Sequence, residues 1–569
     1  MRSNLLALTA LTLAAALGAP LHAASERGGS WCGTRGDAAR DAVWAHREEQ
    51  ARREARGLGR GARPQATTRA AEDVGEIAVL QDEGDLALLR NPFDLAGAGL
   101  QWNPQGEGFS VSRVDRPVAA ASGQRLPLGD DDSTEVTLPF AFPFFGRSYS
   151  NAFVNSDGNL TFGAGDSAST ARTLGRLLGG PPRVAPLLAD LDPTAGGSVT
   201  FASAADNFSV TWTDVPQYGE SDKNTLQVTL WRDGRIDFAW GAGVSTSIAE
   251  GVVGVAPGAE RGGFTGADLS GAAAVTGSAA LAESFRDSDT LDAAAVARKF
   301  YATHPDDYQQ LVVYTSRRVI ESGTFAYQLT LRSSERGTGQ RPVDFGAEFG
   351  SPARLESFVD MDAWSKYRDD LERAFLGEDS TLSVLAHEVG HRWLAHALYL
   401  DAGASTGDLL GRQSAHWSFF AHTAGSHLEG NDIEDLGGGR FRTRAASQRY
   451  SPLDQYLMGL RAPDEVPPFF VVRNPVDIAV DPARDPQRDV LFGGTRRDVT
   501  IGDVVAALGP RDPAPGAARA PFRQAFVYVN LDGAPDPAAL ARIERIRAAF
   551  PAFFERSTEG RGSVANTLR

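Results

Sequence analysis

Residues 381–396 read TLSVLAHEVGHRWLAH, with His387 and His391 four apart and Glu388 beside the first. At about 100° per residue, a helix projects both imidazoles from one face. Two rings so placed can share one zinc ion. The adjoining carboxylate then stands near the metal but off the ligand line, where it suits a general base acting on water. The competing explanation is a helix with two surface histidines. Clustering argues against it: six of the nine histidines, at 387, 391, 396, 416, 422 and 427, fall in one segment, which a solvated face has no reason to gather.

The element that must position these groups is a helix, because Asp379 or Ser380 can cap it and Leu382, Leu385, Val389 and Trp393 recur at helical spacing. A third ligand has to come from further on. Metzincin-type sites place a glycine seven residues and a histidine ten residues after the first histidine; Leu394 and Ala397 occupy those positions here. His396 falls one residue short, and in an unbroken helix it faces the opposite side. Beyond the motif the next glycine is Gly403, so nothing turns the chain early and His396 reads as solvent-facing or structural. YSPLDQYLMGL, residues 450–460, predicts a short helix with Ser451 as cap, Pro452 at the first position and Asp454 in the first turn. Glutamate and aspartate zincins finish their site with a carboxylate from a second helix. Asp454 is therefore the first choice as third ligand, with Tyr456 as a donor to an oxyanion. The alternative is that Asp454 only completes a capping box. His416, in SAHWSFF, is the alternative third ligand; turn chemistry accounts for Glu429 and Asp432, and packing for Met458.

The segment 286–569 is thus similar to zincin metallopeptidases, the group sharing His-Glu-x-x-His, and its run HWSFF, EGND and YSPLDQYLMGL resembles secreted bacterial members. The resemblance implies peptide hydrolysis, with one zinc ion on His387 and His391 and Glu388 as base. Its helix-like and strand-like stretches (LDAAAVARKFYATH, QQLVVYTS and a C-terminal PAALARIERIRAAFPAFFERS) predict an α+β domain.

The rest of the chain sets the context. Arg2, the apolar run 5–18 and the small residues of PLHAAS predict a signal peptide over 1–23, hence a secreted or periplasmic protein. No later run reaches membrane-spanning length, so stable membrane insertion is not expected. The net charge of -16 argues against nucleic acid. Residues 24–70, rich in Ala, Arg and Gly, read as a propeptide or flexible tail. They hold Cys32, the only cysteine, so no intrachain disulfide forms. SWCGTRGD resembles the cysteine-switch motifs of some secreted metalloproteases, which implies Cys32 as an inhibitory thiolate on the zinc; an incidental thiol is the equal alternative.

Residues 71–285 predict an all-β, sandwich-like domain, with hairpins turning at Asp157-Gly158 and Asp233-Gly234 and a Gly/Ala/Ser-rich linker at 259–290. FFGRSYSNAFVNSDGNLTFG, VAPLLADLDP, VTWTDVPQY and NTLQVTLWRDGRIDFAWG resemble the NIDO domain, the extracellular module named after nidogen, over about residues 135–258. The resemblance implies a non-catalytic accessory module. Asp190 and Asp192 carry oxygens suited to Ca2+, but strand-end turn chemistry is the favoured reading. The whole predicts a secreted zinc endopeptidase acting on proteins or peptides. The alternatives are an extracellular binding or adhesion protein whose zincin-like domain is inactive, and a zinc hydrolase that spares peptides.

Overall fold

The computed structural model describes residues 38–55 and 73–568, apart from 121–122, 260, 262, 272–273, 321–323, 446–448 and 516–520. The described residues are predominantly β, arranged in many sheets. The expected signal peptide and Cys32 lie outside them.

Two sheets face each other across one core in the N-terminal part. One has eight strands, from the edge strand Val275–Gly277 to the opposite edge Gln124–Leu126; the other has seven, from Phe264–Gly266 to Ser133–Phe144. Burial along Ser133–Phe144 alternates as a half-buried strand requires: Val136, Leu138, Phe140, Phe142 and Phe144 point inward and the residues between them are exposed. The hairpin turns sit where Asp-Gly pairs predict, with φ of 66° at Gly158 and 89° at Gly234. Two buried tryptophans span the gap. The Trp212 indole donates to the Asn155 carbonyl at 3.1 Å and that of Trp240 to the Pro186 carbonyl at 3.0 Å, each from one sheet to the other.

The linker expected at 259–290 is a correction. Val275–Gly277 pairs with Gly108–Val114, and Ala280–Arg286 lies inside the seven-stranded sheet, between Phe264–Gly266 and Glu250–Ala256. Small residues here permit close approach: a Cβ on Gly254 would stand 2.4 Å from the Cβ of Ala282.

The second sheet system lies beyond the sandwich. Its spatial order is Ile77–Gln81, Phe522–Asn530, Gln310–Thr315, Ser357–Ala363 and Tyr327–Thr330; all are parallel except the last, an antiparallel edge. Val312, Tyr314, Val359 and Met361 share a core with the helix Thr381–Gly390 and the long helix Pro537–Ser557. Leu311, Val313 and Phe358 pack instead with the helix Ala293–Tyr301. Coverage of both faces explains why QLVVYT is buried at every residue. Ile77–Gln81 belongs to this sheet and not to the sandwich, which corrects the boundary placed at 71. A separate five-stranded antiparallel sheet, with Ala421–His422 and Asp432–Gly437 at its edges, follows the Thr381–Gly390 helix in the chain.

The expected tail at 24–70 contains a packed helix, Ala38–Ala55. Its buried residues are Ala39, Val43, His46, Glu48 and Arg52, so no continuous apolar stripe announces it. Glu48 Oε1 accepts from Ser284 N at 2.7 Å, Arg52 Nη2 donates to Ser284 O at 2.7 Å, and His46 Nδ1 lies 2.7 Å from Asp292 Oδ2. Asp292 also caps the helix Ala293–Tyr301. The N-terminal helix therefore ties the sandwich to the second sheet system.

Candidate metal centre

Ser380 caps the helix that carries His387. Its hydroxyl accepts from Ser383 N at 3.3 Å while the Ser383 hydroxyl accepts from Ser380 N at 2.8 Å. Every residue from Thr381 to Gly390 is buried. The helix closes at Gly390 with His391 as its C-cap, in αR geometry, which keeps His391 one turn beyond His387. A Cβ at Gly390 would meet Leu428 Cδ2 at 2.8 Å and Tyr450 Cε1 at 3.0 Å, so glycine lets the 428 and 450 segments close on the helix. Tyr450 fastens that contact by donating from its hydroxyl to Ala386 O at 2.6 Å.

His387, His391 and His416 converge. His387 Nε2 lies 3.0 Å from His391 Nε2 and 3.2 Å from His416 Nε2, and the potential ligand atoms of all three lie within 4.8 Å of one another. Burial pushes all three imidazoles well below the ordinary value, and the positive charge of Arg412 adds to this at His387 and His416. They are neutral. Nδ1 of His387 donates to His427 O at 2.6 Å, and Nδ1 of His416 to Arg412 O at 3.0 Å, because a carbonyl only accepts. Each of these two rings therefore carries its lone pair on Nε2, and the two lone pairs face each other across 3.2 Å. A divalent cation placed between them would take both lone pairs. A tetrahedral ion with bonds of ~2 Å holds its donors ~3.3 Å apart, so the three rings fit zinc in chemistry and in spacing. Glu388, wholly buried, adjoins the first ring in the chain.

Asp454 and Tyr456 are placed elsewhere, and these are corrections. Asp454 Oδ2 accepts from Ser451 N at 2.7 Å, closing the capping box, and Oδ1 accepts from the Trp417 indole at 2.9 Å. The carboxylate holds the residue next to His416 and does not join the three rings. The Tyr456 hydroxyl is buried and accepts from Arg511 N at 3.2 Å, a packing role. His396 also stays outside the trio, for a different reason from the one expected: the helix ends at Gly390 and the chain turns at Ala395, φ 62°, with no glycine. It is partly buried, and burial lowers its imidazole to about 4. Glu429, set aside as turn chemistry, pairs with Arg412 and stands 3.7 Å from His416 Nε2. Sequence reasoning missed Arg412 altogether. The histidine cluster was the available signal for His416, whereas nothing in the sequence marks the His427 carbonyl.

A second group, Asp130, Asp131 and Asp190, has oxygens close enough to share an ion. Arg172 already stands among them, 2.5 Å from Asp131 Oδ1 and 2.7 Å from Asp190 Oδ1. Asp192 accepts from Thr194 N at 2.8 Å, a turn-closing bond.

A family model described as NIDO related matches residues 115–301, about a third of the 569-residue chain. It takes in the sandwich strands that follow Gly108–Val114 and extends past both ends of the stretch that resembles the module. No curated protein and no solved structure matches the chain. Among the described residues, no helix is long and apolar enough to cross a membrane.

Proposed function

We propose that the chain is a zinc-dependent hydrolase of peptide bonds, with His387, His391 and His416 as ligands and Glu388 as general base. The observation that carries this reading is the convergence of three buried rings, with His387 Nε2 3.2 Å from His416 Nε2 and 3.0 Å from His391 Nε2, while Nδ1 of His387 and of His416 each donates to a carbonyl. A zinc ion there supplies Lewis acidity and makes water a nucleophile at neutral pH. Glu388 takes the proton of the attacking water and returns it to the departing amine. The carbonyls of His427 and Arg412 hold two rings in the ligating tautomer, and Asp454 steadies His416 through Trp417. The NIDO-related region serves as a non-catalytic module that places the enzyme on its target, and residues 1–23 direct export.

The test is zinc stoichiometry together with cleavage of a peptide library. One zinc per chain is expected, and Glu388→Gln should keep the metal while cleavage falls by about 10²–10⁴-fold. Zinc uptake with intact peptides would leave a non-peptide hydrolase. Absence of zinc, with target binding unaffected by Glu388→Gln, would favour the adhesion protein.

A further inference from the structure

The histidine centre is covered by one side chain that the mechanism above does not use. Arg412 lies in the short turn Arg412–Ser414, and its side chain is only 12% exposed. Its Nη2 lies 3.3 Å from His416 Nε2. A guanidinium only donates, so it points an N–H along the lone pair that this ring would offer to an ion. Glu429, buried, pins it there through an ion pair, with Arg412 Nε donating to Oε2 at 3.3 Å. The backbone of Arg412 is fixed by a different bond, the one its carbonyl accepts from His416 Nδ1 at 3.0 Å. Residue 412 thus holds the ring with its main chain and caps it with its side chain.

The turn is built to be tight on one side and open on the other. A Cβ at Gly411 would meet Pro482 O at 2.5 Å and Trp417 O at 2.8 Å, so the chain cannot move inward there. Gln413 and Ser414 are exposed and hold φ of 56° and 51°, a conformation that side chains other than glycine rarely adopt. The exposure of Gln413 and Ser414 puts the turn that carries Arg412 at the surface.

We propose that Arg412 is a gate over the histidine centre: the guanidinium and a divalent ion exclude each other at His416 Nε2, and loading the ion turns the arginine out. Two physical effects act in the same sense. Both cations need one lone pair, and their like charges repel at short range. The fraction of molecules with Arg412 turned in therefore lowers the apparent affinity for metal. The inference rests on the zinc reading of the preceding section.

The experiment titrates zinc into the full chain against a chromophoric chelator, for wild type, Arg412→Met and Arg412→Gln. Removal of the guanidinium should tighten zinc binding on the order of tenfold or more and speed its uptake. Zinc bound equally or more weakly by the variants overturns the gate and leaves the metal centre standing. No zinc on any of the three overturns both readings. A second measurement needs no variant. Wild-type protein is treated with an arginine-selective dicarbonyl reagent, with and without zinc, and each arginine is mapped by mass spectrometry. Labelling of Arg412 should rise severalfold with zinc; unchanged or reduced labelling overturns the gate even if both variants fail to fold.

Discussion

Two buried polar clusters in this molecule look alike in composition and differ in what they leave to be satisfied. In the sandwich, Arg172 Nε meets Asp157 Oδ2 at 2.9 Å and Arg183 Nη1 donates to Asn159 at 2.6 Å. Burial raises the Asp166 carboxyl, but Arg176 and Arg183 outweigh it and hold that group below the usual carboxylate range. Every charge there is answered by its opposite. Around His416 three imidazoles bring ring nitrogens together, with one guanidinium beside them. The first cluster pairs cations with anions; the second gathers lone pairs, the donor set that a metal ion takes. Burial and charge do not separate structure from site, but the balance of donors against acceptors does.

The sharpest way to break this contrast is His416→Ala. It should lower zinc affinity by about 10³-fold or more, some 4 kcal/mol, measured by chelator competition; unchanged affinity would return the third ligand to Asp454. Arg172→Met should do the reverse, costing about 3 kcal/mol of stability in denaturant unfolding because buried Asp157 keeps only Arg176, at 3.2 Å, while zinc stoichiometry stays the same. Acid should weaken the second sheet system. Burial holds folded His387, His391, His416 and His427 below the ordinary imidazole value, His427 at about 3. Below about pH 6.5 the unfolded chain binds protons that the folded chain refuses, so stability is whole above that pH and falls as pH drops. Each ring contributes a slope of up to ~1.4 kcal/mol per pH unit, and unfolding at pH 7 and pH 5 would reveal it. Asp454→Asn, which spoils one capping-box acceptor, should cost about 1–2 kcal/mol and loosen zinc less than His416→Ala does. The smallest effect is expected at Asp190, half-exposed, whose carboxyl burial and neighbouring aspartates push up to about 6 in spite of Arg172. Asp190→Asn should change stability at pH 7 by less than ~1 kcal/mol.

The two clusters were also unequally legible in the sequence. His387, Glu388 and His391 are readable because a single helix fixes their relation within four residues. His416 was only an alternative, since its approach depends on a turn with positive φ at Gln413 and Ser414 that no glycine signals. Asp454 was chosen on the correct helix but for the wrong duty: its capping box, visible in SPLD, is the role it fills. In the sandwich, Asp-Gly turns and period-two alternation revealed the hairpins. Residues 259–290 misled because alanine and glycine suit a tight seam as well as a linker; Ala280 and Ala282 pack against Leu174, Leu177 and Leu178. The helix Ala38–Ala55 was hidden because its inward side is held by His46, Glu48 and Arg52 and not by an apolar stripe.

The strand Phe522–Asn530 slots between Ile77–Gln81 and Gln310–Thr315. During synthesis those two earlier strands must wait, unpaired with each other, until residues 522–530 have been made. The sandwich, whose pairings all lie within residues 99–286, can be finished meanwhile. Completion of the sheet behind the histidine centre is thereby tied to the late arrival of one strand: a ribosome halted before codon 522 would release a completed NIDO-related module joined to an open-edged, aggregation-prone partner.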